Sequence, residues 1–318
     1  MPAALKWIRG LAARGESPTH GLRDTKGHRE RGDTEETIGN LCVSEPPWRV
    51  SPGLAGRAAF HRGLLVVLAC LPAALMAQPA GGAKTWSGRA AEIEAYLKTA
   101  PIVRFEDVSR GVTRPRHGFF APGGPVESMV WKALPPGMSH GFYESYKSEI
   151  AAYEIDKMLA LDMVPPKVEK HLDGDVGVAV MWVSPTKSFA DLGGVPKPPP
   201  AQAIAWNRQL VRAKMFQNLI GDIDPNLGNW LVDPAWNLIL VDHSRALSTG
   251  RKLVHQMQSI DADLWTRIKA LTDETLTGTV GMWIGKGEIR ALLDRRDLMQ
   301  TQIDKLVRAR GEADVFIR

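Results

Sequence analysis

The stretch Ile220-Gly-Asp-Ile-Asp-Pro-Asn-Leu-Gly-Asn-Trp-Leu-Val232, followed by Leu238-Ile-Leu-Val-Asp-His-Ser244, contains Asp224, Asn229 and Asp242 in an informative order. Asp224 lies five positions before Asn229, and Asp242 follows thirteen positions later. A carboxylate can orient an attacking hydroxyl, while an amide and a second carboxylate can hold Mg²⁺ against phosphate oxygens. The spacing therefore indicates a phosphoryl-transfer site. The alternative is a polar loop in which the same side chains only stabilise turns.

Two charged residues upstream favour the first interpretation. Lys132 lies in an alternating, β-prone stretch, and a lysine on the inward face of such a strand could reach the α- and β-phosphates of a nucleotide. Glu149 opens a predicted helix, where it could form an ion pair with that lysine. Each residue alone is more typical of a solvated surface. Their order ahead of the Asp/Asn loop favours one shared site.

These residues resemble the atypical protein-kinase-like superfamily. The sequence is most similar in character to secretory-pathway kinases of the Golgi casein kinase and xylosyl kinase types, and more distantly to phosphatidylinositol 4-kinases and HipA-type kinases. The resemblance covers roughly residues 100–300. The segments that carry it are Gly111-Val-Thr-Arg-Pro115, Ser148 to Leu159, Val164-Pro-Pro166 and Asp242-His-Ser-Arg245.

The resemblance implies an α+β, bilobal protein-kinase-like fold, with a small β-rich N-lobe that has one main helix and a larger, mostly helical C-lobe. It also implies ATP as cofactor together with Mg²⁺ or Mn²⁺. The roles that it implies are phosphate binding for Lys132, anchoring of that lysine for Glu149, catalytic base for Asp224, metal ligands for Asn229 and Asp242, phosphate cover for Gly111 and Thr113, and an adenine-binding hinge for Met181 and Trp182.

Three departures from the pattern leave the substrate class open. The predicted phosphate loop has a single glycine, Pro225 stands where many relatives carry a basic residue, and the metal turn reads Asp-His-Ser instead of Asp-Phe-Gly. These features argue against an ordinary eukaryotic-type serine/threonine kinase. The acceptor is expected to be a hydroxyl of a protein, a glycan or a small molecule. The alternatives are a non-catalytic pseudokinase-type nucleotide-binding scaffold and a phosphatidylinositol-type lipid kinase.

The N-terminal segments indicate export. Residues 1–57 lack sustained periodicity and are interpreted as disordered or as a spurious upstream extension. Residues 58–77 combine a basic flank with a short apolar run and resemble a signal peptide, which predicts a secreted or periplasmic protein without a stable membrane span in its mature form. An uncleaved segment would instead imply a cytoplasmic or membrane-anchored protein. The N-lobe is expected over residues 83–183 and the C-lobe over residues 184–318.

Charge and aromatic content identify no further partner. The net charge of +5 is partly due to arginines of the leader, and elsewhere acidic and basic residues interleave, so a nucleic-acid-binding stripe is not supported. The expected partners are a nucleotide and an unknown hydroxyl-bearing substrate. Four tryptophans could line a sugar or base pocket, although core packing is the favoured interpretation: Trp182, Trp206, Trp230 and Trp236.

The hydrophobic patterns predict a small sheet followed by a helical region. A lead-in helix is expected over Ala83 to Ala100 and a main helix over Tyr143 to Leu161. The predicted sheet strands are Ile102 to Val108, Arg116 to Ala121, Val126 to Ala133, Met163 to His171 and Val176 to Val183, the last two joined at Asp173-Gly174. Beyond them, helices are expected over Ala201 to Leu219, Ile260 to Leu271 and Glu288 to Arg308, with paired strands at Trp230 to Val232 and Leu238 to Val241.

Overall fold

The computed structural model describes residues 83–107, 115–139, 141–224 and 226–318 of the 318-residue chain. The predicted leader segments, residues 1–57 and 58–77, lie outside the described residues. So does the predicted phosphate-covering loop with Gly111 and Thr113. In the described ranges, no helix combines the length and the apolar character that a membrane crossing requires.

The N-terminal region is built on a five-stranded antiparallel sheet. Its strands, in spatial order, are β1 (Ile102–Asp107), β2 (Arg116–Phe120), β3 (Ser128–Lys132), β7 (Asp175–Met181) and β6 (Lys167–Leu172). Asp173 and Gly174, both with positive φ, close the tight β6–β7 hairpin. Two such residues suit a two-residue hairpin turn, because that backbone matches the twist of the strands. The predicted five-stranded sheet and its Asp-Gly turn are confirmed.

The lead-in helix, α1 (Ala90–Thr99), is shorter than predicted, because residues 83–89 form turns and irregular backbone instead. Its Ile93 and Leu97 are fully buried in a cluster with residues of the sheet. Lys170 of β6 donates hydrogen bonds to the carbonyls of Leu97, at 2.8 Å, and Lys98, at 3.1 Å. A cation at a helix C-terminus satisfies carbonyl groups that have no partner within the helix. The helix is thereby fixed to the sheet.

The main helix of this region, α2 (Tyr146–Met158), begins three residues later than predicted. Ser145 is its N-cap, and its hydroxyl accepts the backbone N–H of Lys147 at 3.0 Å. The residues before it form a hairpin that the sequence did not predict, β4 (Gly137–Ser139) with β5 (Phe142–Glu144). The helix therefore starts where a side chain can cap it.

The C-terminal part is mostly helical. A three-stranded sheet of order β10-β9-β8 lies at its start, formed by β8 (Lys187–Ser188), β9 (Trp230–Val232) and β10 (Leu238–Leu240). Its α-helices are α3 (Ala203–Ile220), α4 (Ala262–Lys269), α5 (Asp273–Val280), α6 (Lys286–Arg310) and α7 (Glu312–Val315). The short strands β11 (Ile260–Asp261) and β12 (Phe316–Ile317) pair in parallel. A sheet-based N-terminal region followed by a mostly helical part confirms the predicted α+β class.

The largest hydrophobic cluster joins α2 to the helical part, where buried side chains of α3, α4 and α6 meet. Trp206 is 1% exposed and Trp230 is 7% exposed, and Trp236 packs against the same cluster. These three tryptophans are core residues, as the favoured interpretation held. Trp182 differs from them, since it lines a cleft.

Candidate active site

Lys132, the last residue of β3, lies at the centre of the site. Its side chain is 5% exposed, and its Nζ donates to Oε1 of Glu149 at 2.9 Å and to Oδ1 of Asp242 at 2.8 Å. Burial alone would lower the pKa of Lys132, but the carboxylates of Asp242 and Glu149 outweigh it and hold that pKa above its usual value. The ammonium group is therefore charged at neutral pH.

Glu149 is in the first turn of α2, and its side chain is fully buried. Its second oxygen, Oε2, accepts a hydrogen bond from Nζ of Lys167, the first residue of β6, whose side chain is also fully buried. Burial would raise the pKa of Glu149, yet the two lysines hold it well below its usual value. Glu149 is thus an ionised carboxylate between two ammonium groups. The sequence predicted Lys132 as its partner and missed Lys167.

His243 completes this buried cluster. Its Nδ1 lies 3.3 Å from Nζ of Lys167, and the residue has no solvent exposure. Burial, reinforced by the positive charge of Lys167, lowers the pKa of His243 to about 3. The imidazole is therefore neutral at pH 7, and its Nδ1 can accept a hydrogen bond from the lysine.

Asp242 is held in an uncommon backbone conformation. Its φ is 61°, in the left-handed region, which costs a residue with a Cβ about 1–3 kcal/mol, although Asp adopts it more readily than most. Its Oδ1 accepts hydrogen bonds from Lys132 and, at 3.2 Å, from the hydroxyl of Ser244. Within the described residues both hydrogen bonds fall on Oδ1. Oδ2 is therefore the oxygen of Asp242 that a metal ion could bind.

Asn229 is brought to Asp242 by the pairing of β9 with β10. The backbone N–H of Val241 donates to the carbonyl of Asn229 at 3.0 Å, which extends the ladder by one residue beyond the strands. Asn229 and Asp242 consequently lie at the same end of the hairpin. The sequence predicted this placement from the two short apolar stretches around a turn.

Asp224 lies on the loop that follows α3. That helix ends at Gly221, whose φ of 62° is left-handed and suits glycine. Oδ1 of Asp224 accepts the backbone N–H of Asn226 at 3.1 Å, and Oδ2 lies 3.4 Å from Nδ2 of Asn229. One carboxylate oxygen therefore stabilises the turn, as the alternative interpretation proposed. The other lies beside Asn229, at the site.

Two residues near Asp224 were missed by the sequence analysis. Asp222 is buried, and its Oδ1 accepts the backbone N–H of Asp224 at 3.3 Å. Burial, with the neighbouring carboxylates, raises the pKa of Asp222 to about 8. Arg245 donates from Nε to Glu144 at 2.7 Å, lies over the ring of Phe142, and places Nη1 3.9 Å from Oδ2 of Asp224. Arg245 thus connects the unpredicted β4–β5 hairpin to the Asp224 loop.

A cleft of about 610 Å³ of empty space, part of it open to solvent, adjoins these groups. Lys132, Glu149 and Asp242 line it, together with the predicted hinge residues Met181 and Trp182. The backbone N–H of Met181 donates to Pro166, and that of Trp182 donates to Ser128 at 3.0 Å, so both are used within the sheet. The apolar part of the lining comes from both regions of the chain and includes Val130, Val180, Leu231 and Val241.

The predicted metal ligands suit a hard cation. Carboxylate and amide oxygens are preferred by Mg²⁺, which proteins often bind through one or two carboxylates plus substrate phosphates. Asp242 and Asn229 provide one group of each kind at the same end of the β9–β10 hairpin. In the described parts of the chain, no group of three or more His, Cys, Asp or Glu side chains could hold a metal ion by itself.

Several solved structures have a fold similar to that of this chain. The Golgi casein kinase matches with a TM-score of 0.56 at 13% identity, over 72% of this chain and 79% of that chain. The chain therefore has a kinase-like fold. The hydra Fam20 structure with sugar matches with a TM-score of 0.56 at 14% identity, over 71% of this chain and 91% of that chain. A Golgi casein kinase structure with Mn/ADP bound gives a TM-score of 0.55 at 14% identity, over 73% of this chain and 79% of that chain.

The predicted resemblance to atypical kinases of the Golgi casein kinase type is thereby confirmed. At 13% and 14% identity it concerns the fold. No protein-family model matches the sequence, and no curated protein matches it.

Proposed function

We propose that this protein is an ATP- and divalent-metal-dependent phosphotransferase that transfers the γ-phosphoryl group to a hydroxyl of a protein, a glycan or a small molecule. The main support is the position of Lys132, whose ammonium group bonds to both Glu149 and Asp242 at the lining of the cleft. A kinase-type site binds the nucleotide phosphates through a fixed lysine ammonium group and a metal ion. The carboxylate that binds the metal ion must therefore lie close to that ammonium group. A polar loop without catalytic function would not need this buried arrangement.

In this proposal each residue of the site has a separate role. Lys132 binds phosphate oxygens of the nucleotide, and Glu149 keeps its ammonium group in place. Asn229 and Asp242 hold Mg²⁺ or Mn²⁺, which would supply charge neutralisation for the phosphates when bound. Asp224, half-buried beside Asn229, orients the acceptor hydroxyl and accepts its proton. Alignment and charge neutralisation are expected to provide most of the catalysis.

The similar structures support the nucleotide and metal part of the proposal. One of them, the Golgi casein kinase, has Mn/ADP bound. Relatives of that kind are also compatible with the secreted or periplasmic location expected from residues 58–77. Met181 and Trp182 line the cleft where the adenine would lie, and the indole of Trp182 packs against the ring of His117, with the ring centroids 4.4 Å apart.

The proposal is tested by measuring ATP binding and transfer of labelled γ-phosphate with and without Mn²⁺, in the parent protein and in Asp224→Ala. We expect metal-dependent ATP binding in both proteins and transfer, to an added acceptor or to the chain itself, only in the parent. Asp304→Ala, on the exposed face of α6, is the control and should behave as the parent does. Equal transfer by the parent and Asp224→Ala would exclude Asp224 as the base. Metal-dependent binding without any transfer would favour the pseudokinase-type scaffold.

A further inference from the structure

Lys167 is a second buried lysine in the site, and the phosphotransfer chemistry assigns it no role. Its side chain has no solvent exposure, and its ammonium group contacts Oε2 of Glu149 and Nδ1 of His243. In the strand pairing, Lys167 lies opposite Val180, a residue of the cleft lining. Opposite residues of an antiparallel pair point to the same face of the sheet, so Lys167 belongs to the face that carries Lys132.

These contacts, together with the peptide bond between Asp242 and His243, form a closed ring. Asp242 bonds to Lys132, Lys132 to Glu149, Glu149 to Lys167, and Lys167 to His243, which is the residue next to Asp242. The ring contains two lysines, two carboxylates and one imidazole, so each lysine has a carboxylate partner. A buried cation without a partner is strongly unfavourable, and each member therefore depends on its neighbours in the ring.

Glu149 is the member that two cations share. Were Lys132 its only partner, the carboxylate would lose part of its stabilisation whenever that lysine turned towards a phosphate. The second lysine bonds to the other oxygen, so the orientation of Glu149 does not depend on Lys132 alone. Through His243 the same ammonium group also reaches the turn of Asp242. The side chain of Lys167 in β6 thereby connects α2 to the predicted metal ligand Asp242.

We propose that Lys167 is a positioning residue, which fixes Glu149 and the Asp242–His243 turn in a single arrangement and so prepares Lys132 and Asp242 to bind nucleotide and metal. This inference rests on the proposed phosphotransferase function. Lys167 itself touches neither ligand in this account. Its effect is exerted through Glu149 and His243.

Lys170, three residues further along β6, offers a matched comparison. It too is a buried lysine, at 9% exposure, but its ammonium group bonds to the carbonyls of Leu97 and Lys98 at the end of α1. It contributes to the packing of α1 and makes no contact with Glu149 or His243 in the described structure. Replacing either lysine by methionine removes one buried ammonium group from the same strand.

The experiment measures ADP affinity by calorimetry at a series of Mn²⁺ concentrations, for the parent, Lys167→Met and Lys170→Met, well below the Tm of each. We expect both variants to lose thermal stability. Lys167→Met should weaken Mn²⁺-dependent ADP binding by about 10- to 100-fold and raise the Mn²⁺ concentration that it requires. Lys170→Met should stay within about twofold of the parent, as expected of a residue outside the binding network.

Three results would overturn the inference. The first is parent-like ADP affinity and Mn²⁺ dependence in Lys167→Met, and the second is an equal loss in both variants, which would indicate a general effect of destabilisation. Both leave the proposed function intact. The third is absence of Mn²⁺-dependent ADP binding in the folded parent, which would overturn the proposed function itself. If Lys167→Met does not fold, Lys167→Gln, which keeps a hydrogen-bond donor for Glu149, replaces it with the same expected direction.

Discussion

The sheet side of the candidate site and the loop that carries Asp224 differ in how they are stabilised. The side chains of Lys132, Glu149 and Lys167 are 5%, 0% and 0% exposed, whereas that of Asp224 is 17% exposed. The first group depends on opposite charges that neutralise one another away from water. The loop depends on hydrogen bonds between its own side chains and backbone. Removing a member of the buried ion pairs should therefore cost much stability, whereas removing the side chain of Asp224 should cost little stability and act mainly on catalysis.

The largest effect is expected for Glu149→Ala. It leaves the buried ammonium group of Lys167 without a carboxylate and removes one of the two carboxylate partners of Lys132, so the free energy of unfolding at pH 7 should fall by about 3–5 kcal/mol. Urea unfolding measures this change. Glu154→Ala, on the same helix and paired with the partly exposed Lys157, should cost less than about 1 kcal/mol. Asp224→Ala should also stay within about 1 kcal/mol. Similar losses for Glu149→Ala and Asp224→Ala would remove the distinction between the two regions.

A pH-dependent effect is expected for Asp222→Asn in the absence of metal. The folded-state pKa of Asp222, about 8, is above the unfolded value of about 4, so the unfolded chain releases this proton first as the pH rises. The parent therefore loses stability between about pH 4 and pH 8 because of this group. Asn keeps the acceptor for the backbone N–H of Asp224 and does not titrate. The stability of the variant relative to the parent should rise by about 2 kcal/mol or more over that window.

Unfolding curves at half-unit pH intervals measure the difference between Asp222→Asn and the parent. A difference that stays constant from about pH 4 to pH 8 would show that Asp222 is ionised in the folded protein throughout. Asp222 would then be ionised at neutral pH, as Glu149 is, and the carboxylates of the two regions would not differ in this respect.

The smallest effects are expected for two glycines. Gly221 has a φ of 62°, and an added Cβ would lie 2.8 Å from Cζ of the buried Arg295, so Gly221→Ala should cost about 1–3 kcal/mol. Gly278 is inside α5 with open space around its Cα, so Gly278→Ala should stabilise by about 0.5–1 kcal/mol. Thermal unfolding of both variants shows whether each substitution lowers or raises stability. A stabilising Gly221→Ala would mean that the start of the Asp224 loop is less constrained than its geometry indicates.

The sequence was sufficient to predict the site residues that come together because they lie close to one another along the chain. Asp224, Asn229 and Asp242 lie on one loop and one hairpin, so their proximity follows from the turn between two apolar stretches. Lys132 and Glu149 required the further step of placing a strand beside a helix, which the resemblance to kinases provided. Their ion pair is present in the structure.

Lys167 could not be predicted in the same way. It faces Glu149 because β6 pairs with β7, which in turn pairs with β3, and a period-two pattern does not reveal strand order. The β4–β5 hairpin was missed because each strand has only three residues and follows Pro135-Pro136, which reads as an interruption. The position of Arg245 beside Asp224 depends on that hairpin through Glu144, so it was missed as well.

The left-handed backbone at Asp242 has a consequence for protein engineering. Asn adopts such a φ at least as easily as Asp, whereas a β-branched residue would be strained there. Asp242→Asn would therefore keep the local geometry and remove only the negative charge, while valine or threonine would rearrange the turn as well. For anyone who wishes to silence this position without disturbing the surrounding polypeptide, Asn is the suitable choice.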